Sequence, residues 1–427
     1  MPFYYGWAIL AVGAMSTYCA TGNAQLLIGG VQNFIFEDTQ WSRNTVALGV
    51  SIGTWSSGKT TPFIGRLADR YGPRGMMPLA AFIVGLSFFY IANSNAAWQF
   101  CMAIIIGRTI SQPVLVGVVP RTAAVNFFQR RRNLALGIAT MARPFGASIH
   151  IQIFALISLS RSWRNAYQVQ ALLSLIMILP MLLIMRRRPS DLGLPMADNE
   201  VLPDKAQFSP KSHTKKSEVK TRHALNENLN WSTGEAILTP AFWLIIIAES
   251  LSVLTSGTIN FQVVPLLKSS GVPLATATLA LSISSFLGSF GNPIYGFISD
   301  KLSPKPLTIG VLTLSCTTLL MFLIMPIDQF GFITVIVYGT VSGGLNIMGS
   351  MMMAHYFGKG SFGSITGLMG VFQISALGLG PTFGTLLYTV TKSYSSIFLF
   401  GAISYVMALI CVSSIKNPNI EKRTINE

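Results

Sequence analysis

A chain of 427 residues that is 51% hydrophobic and 11% charged, with a mean hydropathy of +0.54, has too little polar surface to cover a soluble globule. A bilayer must solvate much of it. The net charge of +15 comes without aromatic-basic interleaving, so it reads as a membrane-topology signal and an attraction to lipid headgroups, and nucleic acid is not an expected partner.

A spanning helix needs about 20 mostly apolar residues. That template predicts segments near 7–33, 45–65, 76–93, 98–125, 133–158 and 164–185, then 238–266, 274–298, 306–326, 330–356, 363–390 and 395–415. The first runs too long for a signal-peptide core and lacks a basic stretch before it, so it is expected to stay as a span. The predicted fold is an all-α membrane protein of twelve transmembrane helices in two six-helix bundles, 1–185 and 237–427. Between them, 186–236 carries Lys205, Lys211, Lys215, Lys216, Lys220 and Arg222 among Ser, Asn, Asp and Pro. Such a stretch buries little apolar surface and reads as a solvated cytoplasmic linker.

Lys and Arg gather in one set of loops: Arg66, Arg70 and Arg74; Arg130 to Arg132; Arg186 to Arg188; Lys301 and Lys305; Lys359; Lys416, Lys422 and Arg423. The other set holds Arg43, Arg161, Lys268 and Lys392. Basic short loops stay cytoplasmic, which places both termini and the linker inside, in an inner (cell) membrane. Cys19, Cys101, Cys316 and Cys411 lie in apolar segments without metal-ligand or disulfide spacing. No cofactor or metal is called for.

One short pattern occurs twice. Pro62-x-x-Gly65-x-x-x-Asp69, followed by Pro73 and Arg74, recurs 231 positions later as Pro293-x-x-Gly296-x-x-x-Asp300, followed by Pro304 and Lys305 (62 to 293, 69 to 300). Each copy closes the second span of its half. The chain is a duplication, and Asp69, Arg74 and Asp300, with Lys59 and Arg121 nearby, are candidate gating residues, the aspartates facing helix N-termini or basic side chains of the opposite half.

Gly65-Arg-Leu-Ala-Asp69-Arg-Tyr-Gly72-Pro-Arg74 resembles the loop signature of the major facilitator superfamily, and Gly296 to Lys305 its degenerate second copy. Gly107-Arg108 with Gln112, Gly117 and Pro120 is similar to the fourth-helix motif, with Pro113 where that motif has glycine. A narrower resemblance is to the monocarboxylate transporter branch and its bacterial oxalate/formate exchanger relatives. It rests on Tyr5-Gly-Trp7, Trp41-Ser42-Arg43, Asn126-Phe-Phe128 with Arg130 to Ala139, Pro189 to Leu194, Pro240-Ala-Phe-Trp243 and Val264-Pro265. The branch's Arg or Asp of the eighth span and the exchanger's Lys of the eleventh are missing here. The resemblance implies a monomeric carrier whose first, fourth, seventh and tenth helices line a cavity.

Charges near the bilayer centre cost roughly 2.5–3.5 kcal/mol each on insertion scales. The deep ones are Lys59, Arg108, Arg121, Arg143 and Glu249, four cations to one carboxylate. Arg108 and Glu249 are expected on opposing walls of the cavity, with Arg143, Tyr18, Asn23, Asn260, Gln262 and Asn346 as further polar lining. Guanidinium groups suit carboxylates, so the expected substrate is a small organic anion. Glu249, and secondarily His150 and His355, are candidate proton carriers. Proton coupling and anion exchange both stay open. Efflux of amphipathic compounds and a non-transporting sensor are the alternative readings. No nucleotide loop or nucleophile-base arrangement points to an enzyme, and Gly58-Lys59-Thr60 lacks the upstream glycine of a phosphate loop.

Overall fold

The computed structural model describes residues 5–117, 132–186, 231–299, 302–358 and 362–416, together with 119, 120, 123 and 127. Within these residues the chain is helical, and the predicted spans all fall on helices. Ten stretches are long and apolar enough to cross a bilayer. The first two spans complete the twelve: one is divided into Tyr5–Thr21 and Gln25–Thr39, and the other, residues 43–71, carries Lys59, Arg66 and Arg70. Exposed Leu, Ile, Val and Phe side chains form the outer surface of both halves, as expected where lipid is the solvent.

Local chemistry sets the ends of the spans. Thr239 accepts a hydrogen bond from the Phe242 N–H at 3.3 Å, with Pro240 in the first helical position of Pro240–Ser269. Gly72 separates the second and third spans with φ 71° and ψ 171°. Only glycine tolerates that conformation cheaply, which accounts for its place in the Asp69-Arg-Tyr-Gly72-Pro-Arg74 motif.

The basic residue of each motif copy has the same task. Arg74 Nε donates to the Leu182 carbonyl at 3.0 Å, and Lys305 Nζ donates to the Ser413 and Ile415 carbonyls at 2.8 Å each. Each cation therefore closes the carboxyl end of the last span of its own half, where carbonyls are unsatisfied and the helix dipole favours positive charge. The gating candidate Arg74 is thus engaged within its own half in this state.

Several spans are interrupted. The first breaks between Thr21 and Gln25. The sixth breaks at Met177, where Pro180 has no N–H to return to Ile176. The fourth passes from Ala97–Ser111 into a wide π turn, Gln112–Gly117, and the tenth breaks between Ile327–Ser342 and Leu345–Phe357 at Gly343 and Gly344. Positions 112 and 343 are again 231 apart, so the duplication visible in the loops extends to the interruptions. Close packing needs the glycines of the tenth span. A Cβ on Gly288 of the eighth span would lie 2.6 Å from the Gly339 carbonyl oxygen, and one on Gly343 would lie 2.2 Å from that of Gly288.

The halves meet mainly through three pairs of spans: first with seventh, second with eleventh, and fifth with eighth. Gln25 and Gln32 donate to the Gly257 and Phe261 carbonyls at 2.8 and 2.6 Å. Ser51 bonds Thr382 at 2.6 Å, Trp55 Nε1 donates to the Ser375 carbonyl at 3.1 Å, and Gln152 donates to Ser282 at 3.1 Å. These contacts run from mid-molecule to the end away from the termini. At that end Lys268 pairs with Glu37, and Arg43 lies 5.6 and 6.0 Å from the Phe36 and Tyr388 rings while donating to the Tyr394 hydroxyl.

Candidate functional site

Proline shapes the fourth span. Pro113 cannot donate to Thr109, and the freed carbonyl receives the Thr60 hydroxyl of the second span at 3.4 Å. In the same stretch the Leu115 carbonyl accepts from Ser16 and Thr17 of the first span at 2.9 and 3.3 Å. One turn before the π segment lies Arg108, a guanidinium only 1% exposed. Its Nε donates to Thr54 Oγ1 at 2.9 Å and its Nη1 to the Asn23 backbone carbonyl at 2.6 Å. That carbonyl is available because Asn23 lies in the break of the first span, ahead of the next helix's first bond from Ile28 N to Ala24 O. Arg108 thus makes two charge-assisted hydrogen bonds and, among the described residues, no ion pair.

Around this centre the sequence candidates of the first half converge. Both side-chain polar atoms of Asn23 are buried without a partner, and its amide nitrogen occupies the space a Cβ on Gly107 would need, 2.3 Å away. Arg143 of the fifth span, half-buried, is close enough to repel Arg108 electrostatically. His150 is fully buried, stacks on the half-buried Tyr18 with ring centroids 4.9 Å apart, and holds Thr21 Oγ1 through Nδ1 at 2.9 Å. The break in the first span is therefore bounded by Arg108 on one side and the Tyr18–His150 stack on the other.

Glu249 is not part of that group, contrary to the expectation that it faces Arg108 across the cavity. It lies inside the second half, 6% exposed, where Oε1 accepts from Gln373 Nε2 at 2.9 Å. Its Oε2 lies 2.7 Å from the point a Cβ on Gly349 would occupy. The physical reason is helical phase. The side of the seventh span that meets the first carries Gly257 and Phe261 and continues back through Leu254, Ser250 and Ile247, while Glu249 points toward the ninth, tenth and twelfth spans.

The same reasoning orders the residues along the facing sides of the halves. On the second span Ser51 and Trp55 touch the eleventh span, and one turn further along that side Lys59 is exposed. Tyr18 follows Gln25 and Gly22 on the first span in the same way. Asn260 instead packs at the closed crossing, its carbonyl oxygen 2.8 Å from a Cβ position on Gly29, and Gln262 bonds Thr385 within the second half at 2.8 Å. His355 is half-buried two residues before the end of the tenth span, edge-on to Tyr356. Arg121 and Asp300 lie outside the described residues, and so do the side chains of Asp69 and Asn346, most of the 186–236 linker and the stretch Asn126 to Arg131 apart from Phe127.

The closed end holds residues that the sequence reading did not single out. Gln32 meets the Phe261 carbonyl because Pro265, four residues on, cannot. Asp38, in the exposed end of the helix beyond the apolar span, accepts the Trp163 indole N–H at 2.9 Å and pairs with Arg164; the Trp163 hydrogen bond first, and Arg164 after it, hold its carboxyl below the usual carboxylate range. A proline four residues after an otherwise apolar carbonyl was the available signal for Gln32's role, but its partner is 229 residues away.

The family model described as Major Facilitator Superfamily matches residues 10–373 and again 245–426. The chain belongs to the major facilitator superfamily. Among members of that superfamily, the uncharacterized MFS-type transporter YcxA of Bacillus subtilis (strain 168) is 21% identical over 378 residues, covering 86% of each chain. MFS-type transporter 1 of Ophiocordyceps sp. (strain BCC 1869) is 22% identical, covering 98% of this chain and 88% of that one. Two solved folds are similar. A bacterial homolog to the human lysosomal transporter Spinster, inward-facing and unoccupied, superimposes with a TM-score of 0.71 at 14% identity, over 97% of this chain and 96% of the other. The nucleoside transporter NupG superimposes with a TM-score of 0.69 at 15% identity, over 96% and 99%. This chain is accordingly a transporter of the superfamily, embedded in a membrane through its apolar helices.

Proposed function

We propose that the protein is a secondary carrier of a small organic anion, a monocarboxylate or dicarboxylate, that works by rocking of its two halves with proton coupling or anion exchange. The observation that carries this reading is the buried Arg108 guanidinium, held by a hydroxyl and a carbonyl and, among the described residues, paired with no carboxylate. An uncompensated charge inside a protein costs several kcal/mol, and a carboxylate offers the bidentate partner that Thr54 and Asn23 do not. Arg143 adds a second guanidinium to the same centre, and Lys59 adds a positive charge to the side of the second span that faces the other half. The motif resemblance to the monocarboxylate branch supports the same class, although its usual charges in the eighth and eleventh spans are absent.

The basic loops support a cytoplasmic position for the termini, in the cell membrane. The hydrogen bonds of Gln25 and Gln32 across the halves then latch the outward end, and Arg108 is closed over until substrate enters. Tyr18, Arg143 and Lys59 are the residues an entering anion meets first.

Proteoliposome uptake of a carboxylate panel tests the proposal, together with thermal stabilisation of the purified protein, since a ligand stabilises the state it binds. Carboxylates are expected to raise the melting temperature. Arg108→Ala is expected to abolish their uptake while the protein stays monodisperse, and Arg108→Lys to recover only part of it. Full carboxylate uptake by Arg108→Ala rejects the site. A panel in which only amphipathic compounds or nucleosides stabilise the protein rejects the substrate class.

A further inference from the structure

Two guanidiniums converge at the end of the sixth span, beside the start of the third. Arg74 Nε donates to the Leu182 carbonyl at 3.0 Å, and Arg186 Nη1 reaches the same oxygen at 3.5 Å while donating to the Met185 carbonyl at 2.8 Å. The Ile184 carbonyl between them is taken by the Tyr5 hydroxyl at 2.6 Å. One cation would suffice to close such a helix end. Two place like charges side by side, and among the described residues neither has a carboxylate partner. A guanidinium carries five N–H donors. Among the described residues, both Nη groups of Arg74 and the Nε and Nη2 of Arg186 are left without an acceptor.

The surface next to these cations is apolar and open. The third and sixth spans pack tightly at Gly85, where a Cβ would lie 3.1 Å from Leu175, but at Gly75, adjacent to Arg74, a Cβ would meet nothing within 4 Å. Leu79 of the third span and Leu179, Leu182 and Leu183 of the sixth are exposed around it. The duplication supplies a comparison. In the second half, 231 positions on, Lys305 stands for Arg74 and Pro306 for Gly75. Lys305 gives two of its three N–H donors to the Ser413 and Ile415 carbonyls, and a proline ring fills the position that glycine leaves empty. The second half therefore has the helix cap alone. Capping accounts for Lys305, and it does not account for the paired arginines and the open glycine of the first half.

We propose that Arg74 and Arg186 bind the phosphate of an anionic phospholipid whose acyl chain lies along Gly75, Leu79 and Leu182. A phosphodiester has two free oxygens that share one negative charge, one for each guanidinium, and charge-assisted bonds of this kind are the strong ones. Basic pockets between spans at a membrane face take such headgroups. The apolar surface beside the cations selects a lipid over free phosphate. The site is independent of what Arg108 binds.

The test is native mass spectrometry of the full-length protein titrated with phosphatidylglycerol, with phosphatidylcholine, whose choline cation offsets its phosphate, or with phosphatidylglycerol in the presence of inorganic phosphate. Phosphatidylglycerol is expected to bind more tightly than phosphatidylcholine and to resist displacement by inorganic phosphate. Arg186→Gln is expected to weaken phosphatidylglycerol binding about fivefold and to leave phosphatidylcholine unchanged. Arg74→Lys keeps a donor for the Leu182 carbonyl, as Lys305 does in the second half, so it is expected to keep the wild-type melting temperature in neutral detergent while binding phosphatidylglycerol more weakly. Gly75→Leu, which occupies the open surface without changing charge, is expected to weaken phosphatidylglycerol as well, whereas Lys416→Gln, after the twelfth span, is expected to leave it unchanged. Wild-type phosphatidylglycerol affinity in both arginine variants overturns the site, and so does equal binding of the two lipids. Displacement by inorganic phosphate, with Gly75→Leu indistinguishable from wild type, overturns the lipid in favour of a free anion.

Discussion

Gln32 offers a direct test of how the halves are held. Pro265 deprives the Phe261 carbonyl of its helical donor, and Gln32 Nε2 supplies one from the opposite half at 2.6 Å, with the side chain 2% exposed. Gln32→Leu removes the donor and keeps similar bulk, so the carbonyl is left buried and unpaired for as long as the closed end stays closed. That costs about 1–3 kcal/mol. In the state opened at this end, water reaches the carbonyl and the cost disappears. The substitution therefore shifts the ratio of the two states by roughly 5- to 150-fold toward the one opened at the Gln32 end. Spin-label distances measure this directly in a cysteine-free background, with labels at positions 39 and 270 across the closed end and at 71 and 302 across the other. The expected result is a growing long-distance population for the 39–270 pair and a shortening for the 71–302 pair. Distance distributions identical to wild type would show that Gln32 does not latch the halves. Gln25→Leu is the internal comparison. Its partner, the Gly257 carbonyl, is not deprived by a proline, so its shift is expected to be smaller.

Other outcomes follow from single contacts. Gly72→Ala is expected to cost about 1–3 kcal/mol because φ 71° and ψ 171° admit only glycine, read as a lower melting temperature. Gly75→Ala, with open space around its Cβ position, is the neutral control. Asp38 has a carboxyl held below its ordinary value by Trp163 and Arg164. Its contribution is present above the unfolded value near 3.9 and is lost as pH falls through the lower folded value; Asp38→Asn is expected to lower the melting temperature slightly at neutral pH and to converge with wild type in that acid range. Gly349→Ala drives a methyl to within 2.7 Å of the Glu249 carboxylate and is expected to lower the melting temperature, whereas Gly367→Ala, with nothing within 4 Å, is expected not to.

Much of the fold could be read from the chain because each span is a local property. About 20 apolar residues in a row must be a helix when no water is present to satisfy the backbone, and the observed helices begin and end within a few residues of the expected positions. The duplication was equally legible, since Gly72, Pro73 and Arg74 act through neighbours in their own half. The polar centres were legible only as a list. Arg108, Arg143, Tyr18, Asn23 and His150 did gather, as residues on the first, fourth and fifth spans of one bundle. Glu249 did not join them, because one residue of helical phase, 100° of rotation, separates the side of the seventh span facing the other half from the side facing its own bundle.

The sequence by itself determined that this is a twice-repeated, twelve-span carrier, because insertion into a bilayer is decided segment by segment from hydrophobicity and flanking charge. Only the tertiary structure decided where the freed carbonyls of Thr109 and Phe261 find donors, which hydroxyl and carbonyl hold the Arg108 guanidinium, and at which end the halves are hydrogen-bonded. Those outcomes depend on contacts between residues far apart in the chain, such as Gln32 with Phe261 or Trp55 with Ser375. A hydrogen bond of that kind depends on the rotation and depth of two separate helices, and no local pattern in either one encodes it.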